Sequence, residues 1–130
     1  MNWQPAPDVT KRVTFLVSEL QLVHITAHNI ISFRSRGSTG RATARIWGLP
    51  TIWQQALSVS PHYCLEVIAE KFDRLSLDDQ EKVLIHELMH VPKSFSGALV
   101  PHRNHHHRTF RHYHDTMESL FKSLRKKSYE

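Results

Sequence analysis

The sequence has little of what marks a secreted or membrane-spanning protein. It contains a single cysteine, Cys64, so no disulfide can form within the chain and nothing indicates an oxidising compartment. No apolar run approaches the roughly 18–20 residues that a membrane span needs. Residues 1–10 show no basic segment followed by an apolar one, the pattern of a signal peptide. We therefore expect a cytoplasmic protein that does not associate with membranes.

The size and charge of the chain exclude further classes. Its 130 residues are 40% apolar, which supports one modest core and excludes a disordered chain. We expect a single domain over residues 1–130, with residues 1–7 as a loose lead-in. The net charge of +5 fits either an anionic partner or ordinary solubility. Histidine is abundant, with eleven residues, several of them grouped.

The hydrophobic periodicity predicts an α+β fold. Helical spacing alternates with short β-rich runs, and the runs are separated by turn residues. We expect a small mixed or antiparallel sheet of about three strands, flanked by N-terminal and C-terminal helices. The predicted strands are Asn29 to Arg34, Ala42 to Trp47 and Tyr63 to Ala69; the predicted helices are Val9 to Val23, Leu77 to Val91 and His107 to Lys127; Thr51 to Leu57 is predicted to be a connector.

The central predicted helix carries a metal-binding pattern. Residues 86–90 read His-Glu-Leu-Met-His, and side chains four positions apart on a helix lie one above the other. His86 and His90 can therefore bind one zinc ion, while Glu87 is placed to take a proton from water, as in the HExxH motif of zinc peptidases. The apolar residues of this helix predict that it faces the core on the opposite side.

The residues alone leave the third zinc ligand open. A catalytic zinc site normally has three protein ligands. The metzincin pattern would place the third at residue 96, which is Ser96, so that pattern is excluded. Glu118 is possible but has no motif around it. The histidines that the connecting loop can bring to the metal are His102, His105, His106 and His107.

A longer segment resembles a known family. The motif at residues 86–90 is followed by Val-Pro-Lys-Ser-Phe-Ser-Gly at 91–97 and by Pro101-His102, and it is preceded by Ala-Arg-Ile-Trp-Gly-Leu-Pro at 44–50. This joint pattern resembles the small metallopeptidases of archaea, bacteria and phages. The resemblance implies a minimal zincin-like domain that hydrolyses peptides or proteins, and it favours His102 as the third zinc ligand.

A more distant resemblance is to SprT-like proteases. In those enzymes a third histidine precedes a phenylalanine by four positions, and His106 with Phe110 fits that spacing. The glycine usual after that histidine is His107 in this chain. His106 is therefore the alternative third ligand.

These residues predict a zinc-dependent peptidase with Glu87 as the general base. In zincin-like proteins the substrate lies as an added strand along a sheet edge, and either Ala42 to Trp47 or Tyr63 to Ala69 could offer that edge.

The alternative is a nucleic-acid-associated protein, because seven Lys or Arg residues stand between Arg103 and Lys127. A third interpretation, a purely structural metal site, does not explain why Glu87 is present.

Overall fold

The structure is a computed structural model that describes residues 1–101 together with Ser119, Phe121 and Lys122. Its centre is a four-stranded sheet in the order β1-β2-β4-β3. The two central strands are parallel, and each outer strand runs antiparallel to its neighbour, so the sheet is mixed. The strands are β1 (Asn2–Pro5), β2 (Ile30–Arg36), β3 (Ala44–Trp47) and β4 (Tyr63–Ile68).

The helices complete an α+β fold, which confirms the predicted class. Two of them, α1 (Pro7–Glu19) and α4 (Leu77–Leu88), bring apolar side chains to the hydrophobic core. The shorter α2 (Thr51–Leu57) follows β3, and α3 (Ala69–Phe72) follows β4. Among the described residues, no helix is long and apolar enough to cross a membrane.

The core lies on one face of the sheet. Pairing places Ile30 beside Tyr63 and Ala44 beside Val67, and all four residues are buried. These residues belong to the same cluster as the buried side chains of α1 and α4. We call this the inner face of the sheet. Because side chains alternate along a strand, the neighbouring residues point to the opposite, outer face.

Several sequence predictions differ from the structure. The N-terminal helix spans Pro7–Glu19 rather than Val9 to Val23, and Ala69 begins the helix α3 instead of ending a strand. The supposed lead-in contains β1, which pairs with β2 and makes the sheet four-stranded rather than three-stranded. The supposed connector at residues 51–57 is the helix α2. The central helix ends at Leu88 rather than at Val91.

The predicted C-terminal helix is described at only three of its residues. Ser119, Phe121 and Lys122 are helical, and Phe121 is buried in the core. The ammonium group of Lys82 lies 4.6 Å from the centre of the Phe121 ring, within the range of a cation–π contact. The remainder of the prediction for His107 to Lys127 lies outside the described residues. A single domain over the whole chain stays a prediction.

Candidate metal centre

The sequence of α4 determines where the helix begins and which of its sides faces the core, and this places the motif. Ser76 caps its first turn, and the Ser76 hydroxyl accepts a hydrogen bond of 3.1 Å from the backbone N–H of Asp79. Leu84, Ile85 and Leu88 are buried on the core side. The intervening positions are therefore turned toward the surface that β3 borders.

The two histidines of the motif lie next to each other. Their ring centres are 5.5 Å apart. His90 lies two residues beyond the end of α4, in a tighter turn where its N–H bonds to the carbonyl of Glu87 at 3.1 Å. This turn keeps the spacing that a continuous helix would give, so His86 and His90 stay adjacent as the sequence predicts.

A backbone carbonyl orients the ring of His90. Nδ1 of His90 lies 2.6 Å from the carbonyl oxygen of Val100, and the N–H of Val100 donates to the carbonyl of His90 at 2.7 Å. A carbonyl oxygen only accepts, so Nδ1 must carry the proton. The neutral ring then has its lone pair on Nε2, the arrangement that metal-binding histidines typically show.

The hydroxyl of Tyr63 holds the loop between His90 and Val100. It donates to the carbonyl of Ala98 at 2.8 Å and accepts from the N–H of Gly97 at 2.9 Å. The Tyr63 ring also packs against Phe95, with ring centres 5.1 Å apart. The carbonyl that orients His90 is thus tied, through this loop, to the buried strand β4.

The Gly-Leu-Pro and Phe-Ser-Gly segments are in direct contact. The N–H of Leu49 donates to the carbonyl of Gly97 at 2.8 Å, and the Gln54 amide donates to both Leu49 and Ser96 carbonyls at 2.8 Å. A Cβ at Gly97, where φ is +93°, would collide with Leu49 and Gln54. A Cβ at Gly48 would collide with the Gly97 carbonyl. Both glycines are therefore required by close packing of the two segments.

A cleft runs between the motif and the edge of the sheet. Its larger part, of about 580 Å³, is lined by residues 44–47, by Glu87 and His90, and by residues 99–101. A smaller part, of about 280 Å³, lies at His86 and Lys82 and shares Glu87 with the first. In the part of the sheet that the structure describes, β3 is at the edge and β4 is internal, so of the two predicted segments Ala42 to Trp47 is the one that offers an edge.

Glu87 lies half-buried at the point that the two parts of the cleft share. Burial disfavours the charged carboxylate and raises the pKa of Glu87 to about 7. A cation bound nearby favours the carboxylate, so a metal ion at the adjacent histidines would counteract the effect of burial.

The candidates for a third ligand lie beyond the described part of the chain. Pro101 lines the cleft with Glu87 and His90, and the next residue is His102. Neither His102 nor the alternative His106 belongs to the described residues, and the same is true of His105, His107, Phe110 and Glu118. Within the described residues, no group of three or more His, Cys, Asp or Glu side chains could hold a metal ion. Two neighbouring imidazoles, one with its tautomer set, nevertheless fit a zinc ion.

Sequence reasoning missed the residues that support the site. Tyr63 appears only as a strand residue, and Gln54 lies in a segment without a recognisable pattern. The contribution of Val100 is a backbone carbonyl, which no side-chain motif can reveal. The one signal available was the pair of glycines, Gly48 and Gly97, inside the segments that carry the family resemblance.

Comparison with protein families gives a match over most of the chain. The family model described as "Putative phage metallopeptidase" matches residues 1–125. Neither the curated proteins nor the solved structures gave a match.

Proposed function

This chain belongs to the phage metallopeptidase family, and from that premise we propose that it is a zinc-dependent peptidase. In this proposal His86 and His90 hold the zinc ion and Glu87 is the general base. His102 is the third ligand, with His106 as the alternative. The family implies a metal ion, and the choice of zinc follows from the imidazole donors.

The observation that carries the proposal is the position of Glu87. It lines both parts of the cleft, together with the two histidines and residues of the edge strand β3. A peptide that lies along β3 would therefore pass directly beside a carboxyl group. General base catalysis requires this proximity, because the base must reach the water that attacks the peptide bond.

In the proposed hydrolysis, different residues of the chain have different roles. When bound, zinc would lower the pKa of water and polarise the carbonyl of the scissile peptide. Glu87 accepts a proton from the attacking water and then passes it to the departing amine. The carbonyl of Val100 keeps His90 in the tautomer that leaves Nε2 for the metal.

The edge strand supports the binding of substrate. Within the described residues β3 pairs with β4 on one side only, so the backbone groups on its other side would be available to a peptide in the cleft. Addition of a peptide as a further strand is a common mode of recognition at such an edge. The proposed substrate is therefore a peptide or an extended segment of a protein.

The experiment that tests this function replaces Glu87 by Gln, which keeps the shape and removes the base. We expect zinc to remain bound while casein hydrolysis falls by roughly 10²–10⁴-fold. Zinc content is measured by mass spectrometry of the metal, and the exposed His28, replaced by Ala, is the matched control.

An unchanged rate of hydrolysis in the Glu87→Gln protein would contradict the mechanism. Loss of zinc in that variant would instead make Glu87 a structural partner of the metal. Retention of zinc after replacement of His86 or His90 by Ala would reject the ligand assignment.

The third ligand is decided by a comparison of two variants. The Pro101 ring restricts the backbone just before His102, and such a residue can present its imidazole at low entropic cost. We expect His102→Ala to weaken zinc binding strongly, and His106→Ala to retain one zinc ion. Competition with a chelator measures the affinity. The reverse order would favour the SprT-like arrangement.

The nucleic-acid alternative rests on the basic residues from Arg103 to Lys127. All of these except Lys122 lie outside the described residues, and no observation in the described part favours this alternative.

A further inference from the structure

The side chains of the edge strand β3 alternate between the two faces of the sheet. Ala44 and Ile46 pair with Val67 and Leu65 on the inner face of the sheet. Arg45 and Trp47 alternate with these residues along the strand, so both lie on the outer face, where Arg45 pairs with Glu66.

Arg45 and Trp47 remain accessible on that outer face. Trp47 is 48% exposed, and the Arg45 side chain is 35% exposed. Both residues also line the larger part of the cleft, together with Glu87. A ligand in the cleft can therefore contact both of them.

A buried carboxyl group fixes these two side chains. Glu66 is only 1% exposed, although it lies in the middle of β4. Its oxygens accept hydrogen bonds from the Trp47 indole N–H at 3.0 Å and from the Ser35 hydroxyl at 2.5 Å. The guanidinium of Arg45 lies 3.9 Å from the same oxygen that Trp47 contacts.

These contacts explain how Glu66 can be buried. A carboxyl group removed from water is destabilising unless hydrogen bonds and an opposite charge replace its hydration. Each donor is in turn restricted in orientation by the group it contacts. Glu66 therefore orients the Trp47 ring through a hydrogen bond and attracts the Arg45 guanidinium through its charge, at the border of the cleft.

A second indole, from the strand at the opposite edge of the sheet, supports Trp47 on the same face. Trp3, in β1, contacts Trp47 edge to face, with ring centres 6.5 Å apart. The strands β2 and β4 separate β1 from β3, so the two rings reach toward each other over the outer face. Trp47 is thus held by a hydrogen bond on one side and by an aromatic contact on the other.

We propose that Arg45 and Trp47 form a side-chain subsite that selects peptides with an acidic residue and an aromatic residue two positions apart. The proposal rests on the proposed function, since it assumes that the peptide lies along β3. A peptide strand beside β3 places alternate side chains on the outer face. The residue opposite Arg45 meets a positive charge, and the one opposite Trp47 meets an aromatic ring.

Glu66 acts in this subsite as a positioning residue. It does not reach the peptide, because it is buried beneath the two side chains that do. Opposite charges and aromatic pairs across neighbouring strands each stabilise pairing modestly. Together they would favour one class of peptide without changing the chemistry at Glu87.

The test measures binding of labelled twelve-residue peptides by fluorescence anisotropy. One probe carries Glu and Phe two positions apart in an Ala and Thr background, and a second carries Lys in place of Glu. The protein used is the full chain with zinc added, and it carries the substitution Glu87→Gln so that the peptides are not cut. We expect the Glu probe to bind roughly two- to fivefold more tightly than the Lys probe.

A charge reversal distinguishes direct contact from a general effect of charge. With Arg45→Glu we expect the preference to invert, so that the Lys probe binds more tightly. Arg36→Glu makes the same change in net charge at an exposed position of β2, and it should leave the preference as it is. An unchanged preference in Arg45→Glu, or an equal inversion in Arg36→Glu, would overturn the proposal.

Further variants test the other two residues. With Trp47→Ala, replacement of Phe by Ala in the probe should no longer weaken binding. Glu66→Asp, which keeps the charge and withdraws the carboxyl group from Trp47 and Arg45, should bring the affinities for the Glu and Lys probes closer together. If Glu66 has a merely structural role, this variant will lower the melting temperature and leave the ratio of affinities unchanged, which would reject its positioning role.

The outcomes separate the subsite from the proposed function. If the wild-type chain hydrolyses casein but the probes show no preference, the subsite is rejected and the peptidase stands. If the probes bind with the expected preference and no peptide is cut, the peptidase is rejected and the subsite stands. If no probe binds, the subsite is rejected.

Discussion

Gly97 shows how much a single position contributes to the arrangement of the site. Its φ of +93° belongs to the left-handed region, and a Cβ there would also collide with Leu49 and Gln54. Gly37 has a similar φ of +90°, but a Cβ at that position would meet only Met1, at an ordinary contact distance of 3.7 Å. The two glycines therefore share the backbone conformation and differ in their surroundings.

We predict that Gly97→Ala destabilises the protein more than Gly37→Ala. The backbone conformation alone costs a residue with a Cβ about 1–2 kcal/mol, and this part is common to both variants. The excess in Gly97→Ala comes from the collision. The free energy of unfolding, from urea denaturation, measures both. Equal losses would show that the two segments can move apart without cost.

Single residues also show where sequence reasoning succeeds and where it ends. His86, Glu87 and His90 are brought together because helical spacing is a local property that the sequence displays directly. The carbonyl of Val100 is different, because any residue supplies a carbonyl. Its position depends on the Tyr63 hydroxyl, which is distant in sequence.

Among the described helices, α4 is the one whose first turn is capped by a side chain. The Ser76 hydroxyl accepts a hydrogen bond from Asp79 in the first turn of the helix. We predict that Ser76→Ala lowers the free energy of unfolding by about 1 kcal/mol, since an N–H loses its partner. Thermal or urea denaturation measures the loss. Ser76→Asp, which keeps an acceptor, should retain most of the stability; an equal loss in both variants would contradict the capping role.

Two elements that the sequence did not predict, α2 and β1, have few buried residues. In α2 only Gln54 is buried, while Ile52 and Trp53 are exposed, so no apolar stripe marks the helix. All four residues of β1 are exposed and one is Pro5, which is unusual within a strand. Backbone pairing with β2 stabilises β1, and the pattern of side chains in the sequence does not reveal this pairing.

At the scale of the whole molecule, Arg34 connects three elements through charge. Its guanidinium on β2 makes a two-pronged contact with Asp8 of α1, at 3.0 and 3.1 Å. It also lies 3.2 Å from Asp73, just after α3. Hydrogen bonding to Arg34 lowers the pKa of Asp8 below its usual value.

The lowered pKa predicts a dependence of stability on pH. The contribution of Asp8 is complete above about pH 4, near the pKa in the unfolded chain, and it is lost as pH falls through the lower pKa of the folded state. We predict that Asp8→Asn lowers the free energy of unfolding at pH 7 by less than about 1 kcal/mol, because the Asp8 side chain is 62% exposed.

Urea denaturation of both proteins between pH 7 and pH 3 measures this effect. The difference between them should be constant near neutrality and shrink below about pH 4. A difference that stays constant through the acidic range would mean that the substitution acts on the helix rather than through the charge of Asp8.

The order of strands in the sheet has a consequence for folding during synthesis. The edge strand β3 leaves the ribosome before β4, yet β4 is the strand with which it pairs. The two central strands, β2 and β4, likewise pair only when β4 has emerged, because β3 and α2 separate them in the sequence. Contacts between distant segments form late and slow the reaction. The edge of the sheet at β3 should therefore be among the last parts of the sheet to form, and a nascent chain that ends before Tyr63 should lack this edge.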